Sequence, residues 1–173
     1  MDSKRVRWQI AGFLFTAVAG TVLHFFYDLS GQLVTAALIS PVNESIWEHM
    51  KLLYFPMLLF ALAEYRYIGR EIPGFWCAKA AGMVLGLALI PVLYYTAAGA
   101  LGWSADWFNV TIFYLAAGAA YALENRLFSQ SGKCRPWIAV VVLVIIGAAF
   151  AAFTFFPPRI PLFQDPIGGG YGI

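Results

Sequence analysis

Charge is what this chain has least of: Asp, Glu, Lys and Arg make up 12% of its 173 residues, against 61% apolar ones. Soluble domains carry about a quarter charged residues, so a water-soluble globular reading is excluded. A net charge of +2, with no basic patch interleaved with aromatics, leaves no footprint for nucleic acid as a partner. Cysteine is scarce too. Cys77 and Cys134 fall near helix ends that the charge pattern assigns to the cytoplasm, where thiols stay reduced, so no structural disulfide is expected. A cleavable leader is not expected either. The apolar run after Lys4, Arg5 and Arg7 is long enough to span and carries His24 in place of a small-residue cleavage site.

What the chain has in abundance is long hydrophobic runs. A bilayer core needs about 20 apolar residues in a helix, and segments at 8–27, 43–67, 73–99, 106–123 and 137–156 supply them. The expected architecture is therefore an all-α membrane protein of five transmembrane helices, forming one bundle domain over 1–173 with an ordered tail at 157–173. Between the first two spans, Leu33 to Ile39 is apolar but too short to cross, and reads as an interfacial or re-entrant helix bounded by Gly31 and Pro41.

Cytoplasmic loops carry the excess of Lys and Arg. Lys4, Arg5 and Arg7 precede the first span, Arg66 and Arg70 follow the second, and Arg126, Lys133 and Arg135 separate the last two; the opposite side has only Arg159. This predicts a cytoplasmic amino terminus and an outside carboxyl terminus, with the linkers around Asp28, Trp103 and Pro157 facing out. Gly82-x-x-x-Gly86, Ala116 to Ala120 and Gly147 are the small residues that let helices approach in lipid.

Polar side chains within such runs are expensive and by default functional. Counting about 1.5 Å per residue from the cytoplasmic ends brings His24, Glu48, His49 and Asn109 to one level below the outer surface, with Asp106 at the rim. His24 and Asp28, Glu44 and Glu48, and Ser45 and His49 are each four apart, the spacing of a shared helix face. A neutral imidazole beside carboxylates is what zinc or a similar divalent ion requires, so His24, Glu44, Glu48 and His49 are the expected metal ligands. Asp28, Ser45, Lys51, Asp106, Asn109, Arg159 and Asp165 would complete the pocket. The bland reading is capping: Asn43 as an N-cap, Ser45-x-x-Glu48 as a capping box, and Lys51 as an ion-pair partner of Glu48. Lys79, deeper in the third span, either snorkels toward the interface or pairs with Glu64 or Glu124.

The tail Pro157-Pro-Arg-Ile-Pro-Leu-Phe-Gln-Asp-Pro166 cannot continue a helix. Leu162 and Phe163 call for burial, so it is expected to fold across the outer face, with Arg159 meeting Glu44 or Asp106. The Pro41-Val-Asn-Glu-Ser-Ile-Trp-Glu-His49 block and the terminal Pro-Pro-x-x-Pro-Leu-Phe-x-Asp-Pro with Tyr171-Gly172 resemble an uncharacterised family of small bacterial integral membrane proteins. The resemblance implies placement in the bacterial inner membrane and supplies no catalytic roles.

Three functions compete. One is binding or transport of a divalent cation or small protonatable solute at an outward pocket, alternating access then requiring a homodimer because no inverted repeat is evident. Another is a metal-dependent hydrolase acting within the membrane on a lipid-like substrate, with Glu48 as general base. The third is a non-catalytic scaffold whose polar groups only tie helices to tail.

Overall fold

The computed structural model describes residues 3–102, 106–130 and 134–173; Trp103 and Lys133, both used in the sequence reading, lie outside these. Six α-helices account for most of the described chain: α1 (Ser3–Leu29), α2 (Val34–Ala37), α3 (Ile46–Tyr67), α4 (Phe75–Thr96), α5 (Asp106–Leu127) and α6 (Pro136–Phe155). Among the described residues there is no strand, only an isolated bridge between Gln164 and Tyr171.

Local chemistry sets the helix ends. Ser45 caps α3, its hydroxyl accepting from the Glu48 amide at 3.3 Å, while Asn43 Oδ1 accepts from the Ser45 amide at 2.9 Å. Gly74, at φ 73°, takes the left-handed conformation that turns the chain into α4. Pro136 opens α6, where its missing N–H costs nothing. The expected short helix after α1 is a single turn, four residues long, with its own Ala36 and Ala37 buried and Leu33 and Val34 exposed.

Four helices are long and apolar enough to cross a membrane: α1, α3, α4 with its continuation to Ala100, and α6. The segment expected to be a fifth span forms α5, which has the length, at 22 residues, but falls outside that group. Its composition explains this. Asn109, Glu124 and Arg126 dilute its hydropathy, and Ala116, Ala117 and Ala120 stand where a lipid-facing helix would carry Leu or Ile; all three alanines are fully buried. That face is built for close packing against α4 and α1.

α5 packs against α4 and α1, α4 also touches α3 and α6, and α1 lies along α3. The core gathers Leu53, Tyr54 and Met57 of α3, Met83 and Leu87 of α4, the alanines of α5 and Phe150 of α6. Tyr54 donates to the Leu143 carbonyl at 2.5 Å, fastening α3 to α6. Outward faces are apolar in turn: Leu14, Val18 and Val22 of α1 and Val144 and Ile145 of α6 are more than half exposed, a surface that water does not favour and lipid does.

One expectation is overturned. Cys77, in the first turn of α4, and Cys134, just ahead of α6, form a disulfide with Cα atoms 6.4 Å apart. The α4–α5 hairpin returns the chain to the start of α4, placing two residues separated by 57 positions within bonding range. Compartment reasoning alone has no access to that proximity.

The tail leaves the helix at its prolines and packs its apolar Phe163 against the bundle. It lies across the end of the bundle where α3 begins and α1 and α6 finish, here the tail end. Phe163 is buried against Trp47 and Phe153, Asn43 Nδ2 donates to the Gly172 carbonyl at 3.0 Å, and the Ile173 amide donates to the Thr154 carbonyl at 3.2 Å. Gly172 has φ 64°, and a Cβ there would lie 2.5 Å from the Thr154 carbonyl oxygen, so the lock accepts only glycine.

Candidate functional site

At the tail end the polar residues divide into two separate groups. His24 projects from the last turns of α1, His49 from the first turn of α3, and Glu44 from the extended segment just before the Ser45 cap. Their ligand atoms all lie within 4.8 Å of one another. Glu44 bridges the imidazoles, one carboxylate oxygen 3.3 Å from His49 Nε2 and the other 4.0 Å from His24 Nε2. The two rings lie 5.2 Å apart, centroid to centroid.

The hydrogen bonds carry chemical information. His49 Nδ1 lies 3.0 Å from the Ser45 carbonyl oxygen, which can only accept, so Nδ1 carries the proton. In a neutral ring Nε2 is then a bare lone pair, and it faces the Glu44 carboxylate, another acceptor. Two acceptors at 3.3 Å need a cation between them: a second proton on the ring or a metal ion. A backbone carbonyl that fixes the tautomer of a ligating histidine is the usual outer-shell partner of a metal site. His24 Nδ1 is buried with no hydrogen-bond partner, so this ring also has unspent capacity. Glu44 stands outside the helices, and its carboxyl is held below the usual glutamate range, first by the hydrogen bond with His49 and further by the charge of both imidazoles, against the opposing effect of partial burial.

Glu48 belongs to the second group. Its side chain is only 2% exposed and forms an ion pair with Lys51 at 2.6 Å. The same oxygen accepts from the Val42 amide at 3.1 Å, and the other accepts from the Thr154 hydroxyl at 2.9 Å. Lys51 spends its remaining donors on the carbonyls of Ala37 (2.8 Å) and Ser40 (3.3 Å). Both partners are thus satisfied, which is the condition under which a buried pair persists. The structure therefore separates Glu48 from His24, Glu44 and His49. Adjacent residues on a helix point about 100° apart, so Glu48 turns inward where His49 turns toward α1. The four-residue spacing of Glu44 and Glu48 carries no shared face, because Glu44 precedes the helix.

Of the other expected pocket side chains, Asp28 stands near the cluster, its charge acting on His24. Ser45 is buried as the cap, its carbonyl serving His49. Asp28 and Asn109 are exposed on α1 and α5, and Asn109 makes no hydrogen bond to the cluster among the described residues. Arg159 is exposed and makes no ion pair with Glu44 among the described residues, and the side chain of Asp106 lies outside them. Asp165 serves the tail itself, accepting from the Ile167 amide at 2.9 Å.

A third polar group lies at the opposite end. Lys79 does not snorkel: it is 1% exposed and lies 2.5 Å from both Glu64 of α3 and Glu124 of α5, which are fully buried. Gln9 of α1 joins them, donating to Glu64 at 2.7 Å. Gln9 was missed by reasoning from charge, although an amide within an apolar run is itself a signal.

Fold and clusters together define a class: an all-helical bundle with four helices of membrane-crossing length and hydropathy and a His-Glu-His group at one end. Within that class the chain belongs to a family of unknown function, DUF6512, whose model matches residues 1–173. No curated protein and no solved structure matches it.

Proposed function

We propose that this is a five-span protein of the bacterial inner membrane, amino terminus in the cytoplasm, that binds a divalent cation such as zinc at its outward face through His24, Glu44 and His49. α5 counts as the fifth span because it has the length, packs along α4 and α1, and turns Val110 and Leu115 outward. The observation that carries the reading is the convergence of His24 Nε2, His49 Nε2 and the Glu44 carboxylate between them, with ligand atoms within 4.8 Å of one another. Two imidazoles and a carboxylate leave a fourth zinc position open, and the half-exposed Glu44 lets solvent or a small solute reach it. Such a site exchanges its ion or presents it to a ligand.

The geometry favours binding over hydrolysis. Both oxygens of Glu48 are already engaged, by Lys51, Thr154 and the Val42 amide, and the buried ion pair makes it a poor general base. It favours holding an ion over conducting one in this conformation, since Leu53, Tyr54, Met57 and Ala61 pack tightly along α3 below the site.

The test uses the full chain in lipid nanodiscs, stripped with chelator and reloaded. One zinc per chain by elemental analysis is expected. His24→Ala and His49→Ala should each lower the affinity more than the about 10–100-fold that follows loss of an outer-shell partner. Unchanged zinc content in both variants would overturn the assignment of the cation to His24, Glu44 and His49.

A further inference from the structure

The cluster at the opposite end has a charge deficit. Two carboxyl groups, Glu64 and Glu124, approach one ammonium, Lys79, and all three are buried. The groups that face them from each packed element compensate for none of this. α1 contributes the neutral amide of Gln9. α5 contributes Tyr121, whose hydroxyl is engaged with Thr16 at 2.9 Å. The rings of Phe75, Tyr121 and Phe128 surround Lys79 Nζ at 5.3–5.6 Å. Arg5 of α1 donates to the Phe128 carbonyl at 3.1 Å and makes no ion pair with either carboxylate among the described residues.

Donors are short as well as positive charge. Glu124 Oε1 and Gln9 Oε1 are buried acceptors without a hydrogen-bond partner. Burial of an uncompensated charge and of unpaired acceptors are both strongly disfavoured, and one additional proton removes both faults at once. It neutralises one carboxylate and supplies the missing O–H donor. Glu124 has the free oxygen, packed against Gly82, where a Cβ would lie 2.8 Å from it.

We propose that Glu64, Glu124 and Lys79 form a proton-binding site that holds one proton on its carboxyl pair, independent of the cation site. Glu64 lies 15 residues along α3 from His49, about 22 Å at the helical rise. The two sites therefore occupy opposite ends of the bundle, and the proton site stands whether or not zinc binds.

Infrared spectroscopy of the full chain in nanodiscs at neutral pH reads this directly. A protonated-carboxyl carbonyl band is expected, and it should shift in deuterated buffer. Glu64→Gln and Glu124→Gln should each abolish it, since either leaves one carboxylate for one ammonium; Asp165→Asn should leave it in place. Absence of the band from the wild-type protein overturns the proposal whatever the variants do. Persistence of the band in both glutamine variants, or its appearance only after sodium is removed, overturns it equally.

Discussion

Lys51 and Glu48 show what one buried charge costs when its partner is taken away. Removing a single member of a buried pair is worth about 3–5 kcal/mol. Lys51→Met should destabilise by that order, because Glu48 keeps its charge with only Thr154 and the Val42 amide to answer it. Combining it with Glu48→Gln should recover most of the loss, as measured by denaturant unfolding in detergent. Glu44 gives a pH-dependent counterpart. Its folded-state pKa is lowered, so its contribution to stability is fully present above the unfolded-state value and is lost as pH falls through the folded one. In chelator, the wild type should be more stable than Glu44→Gln at neutral pH, and the gap should close on acidification; a gap independent of pH would deny the bond to His49 that role. The Glu48–Lys51 pair was legible in the i,i+3 spacing, and both histidines were legible as members of one group. Estimating depth alone placed Glu48 among them wrongly, because depth is indifferent to the direction in which a residue points around its helix.

At the scale of elements, the α4–α5 seam depends on glycine where backbones nearly touch. A Cβ on Gly82 would lie 2.9 Å from the Ala120 carbonyl oxygen as well as against Glu124, and one on Gly86 would meet the Ala120 Cβ at 3.2 Å, besides Leu53 of α3 at 2.7 Å. Gly118, on the same helix as Ala120, meets nothing nearer than Phe13 at 3.9 Å. Gly82→Val should therefore separate the helices and lower thermal stability, whereas Gly118→Ala should be neutral or raise it by up to about 1 kcal/mol, the helix-propensity gain. Melting curves of the two variants, compared with wild type, distinguish a packing requirement from a mere abundance of small residues. These seams were readable from the spacing of Gly82 and Gly86. The one-turn length of α2 was not, since it depends on which neighbours cover the segment, whereas the polar residues that lower the hydropathy of α5 stood in the sequence and were passed over in favour of its length.

For the whole molecule, the remaining question is which end faces the cytoplasm. Arg5, Arg7, Arg66, Arg70, Arg126 and Arg135 cluster at the end opposite the tail, together with the Cys77–Cys134 bond. The bias of basic loops assigns that end to the cytoplasm, whereas disulfides persist more readily outside it. Charge sets orientation at insertion, before α4 and α5 have folded back to bring the two thiols together, so the proposed orientation follows the basic loops. A periplasmic-only reporter fused after Ile173 should be active and one fused before Ser3 inactive. Mass-tagging of thiols after rapid acid quench should then show how far the cellular reductants open the Cys77–Cys134 bond. An active reporter at the amino terminus would invert the bundle, make the bond an ordinary extracytoplasmic staple, and turn the His24–Glu44–His49 group toward the cytoplasm.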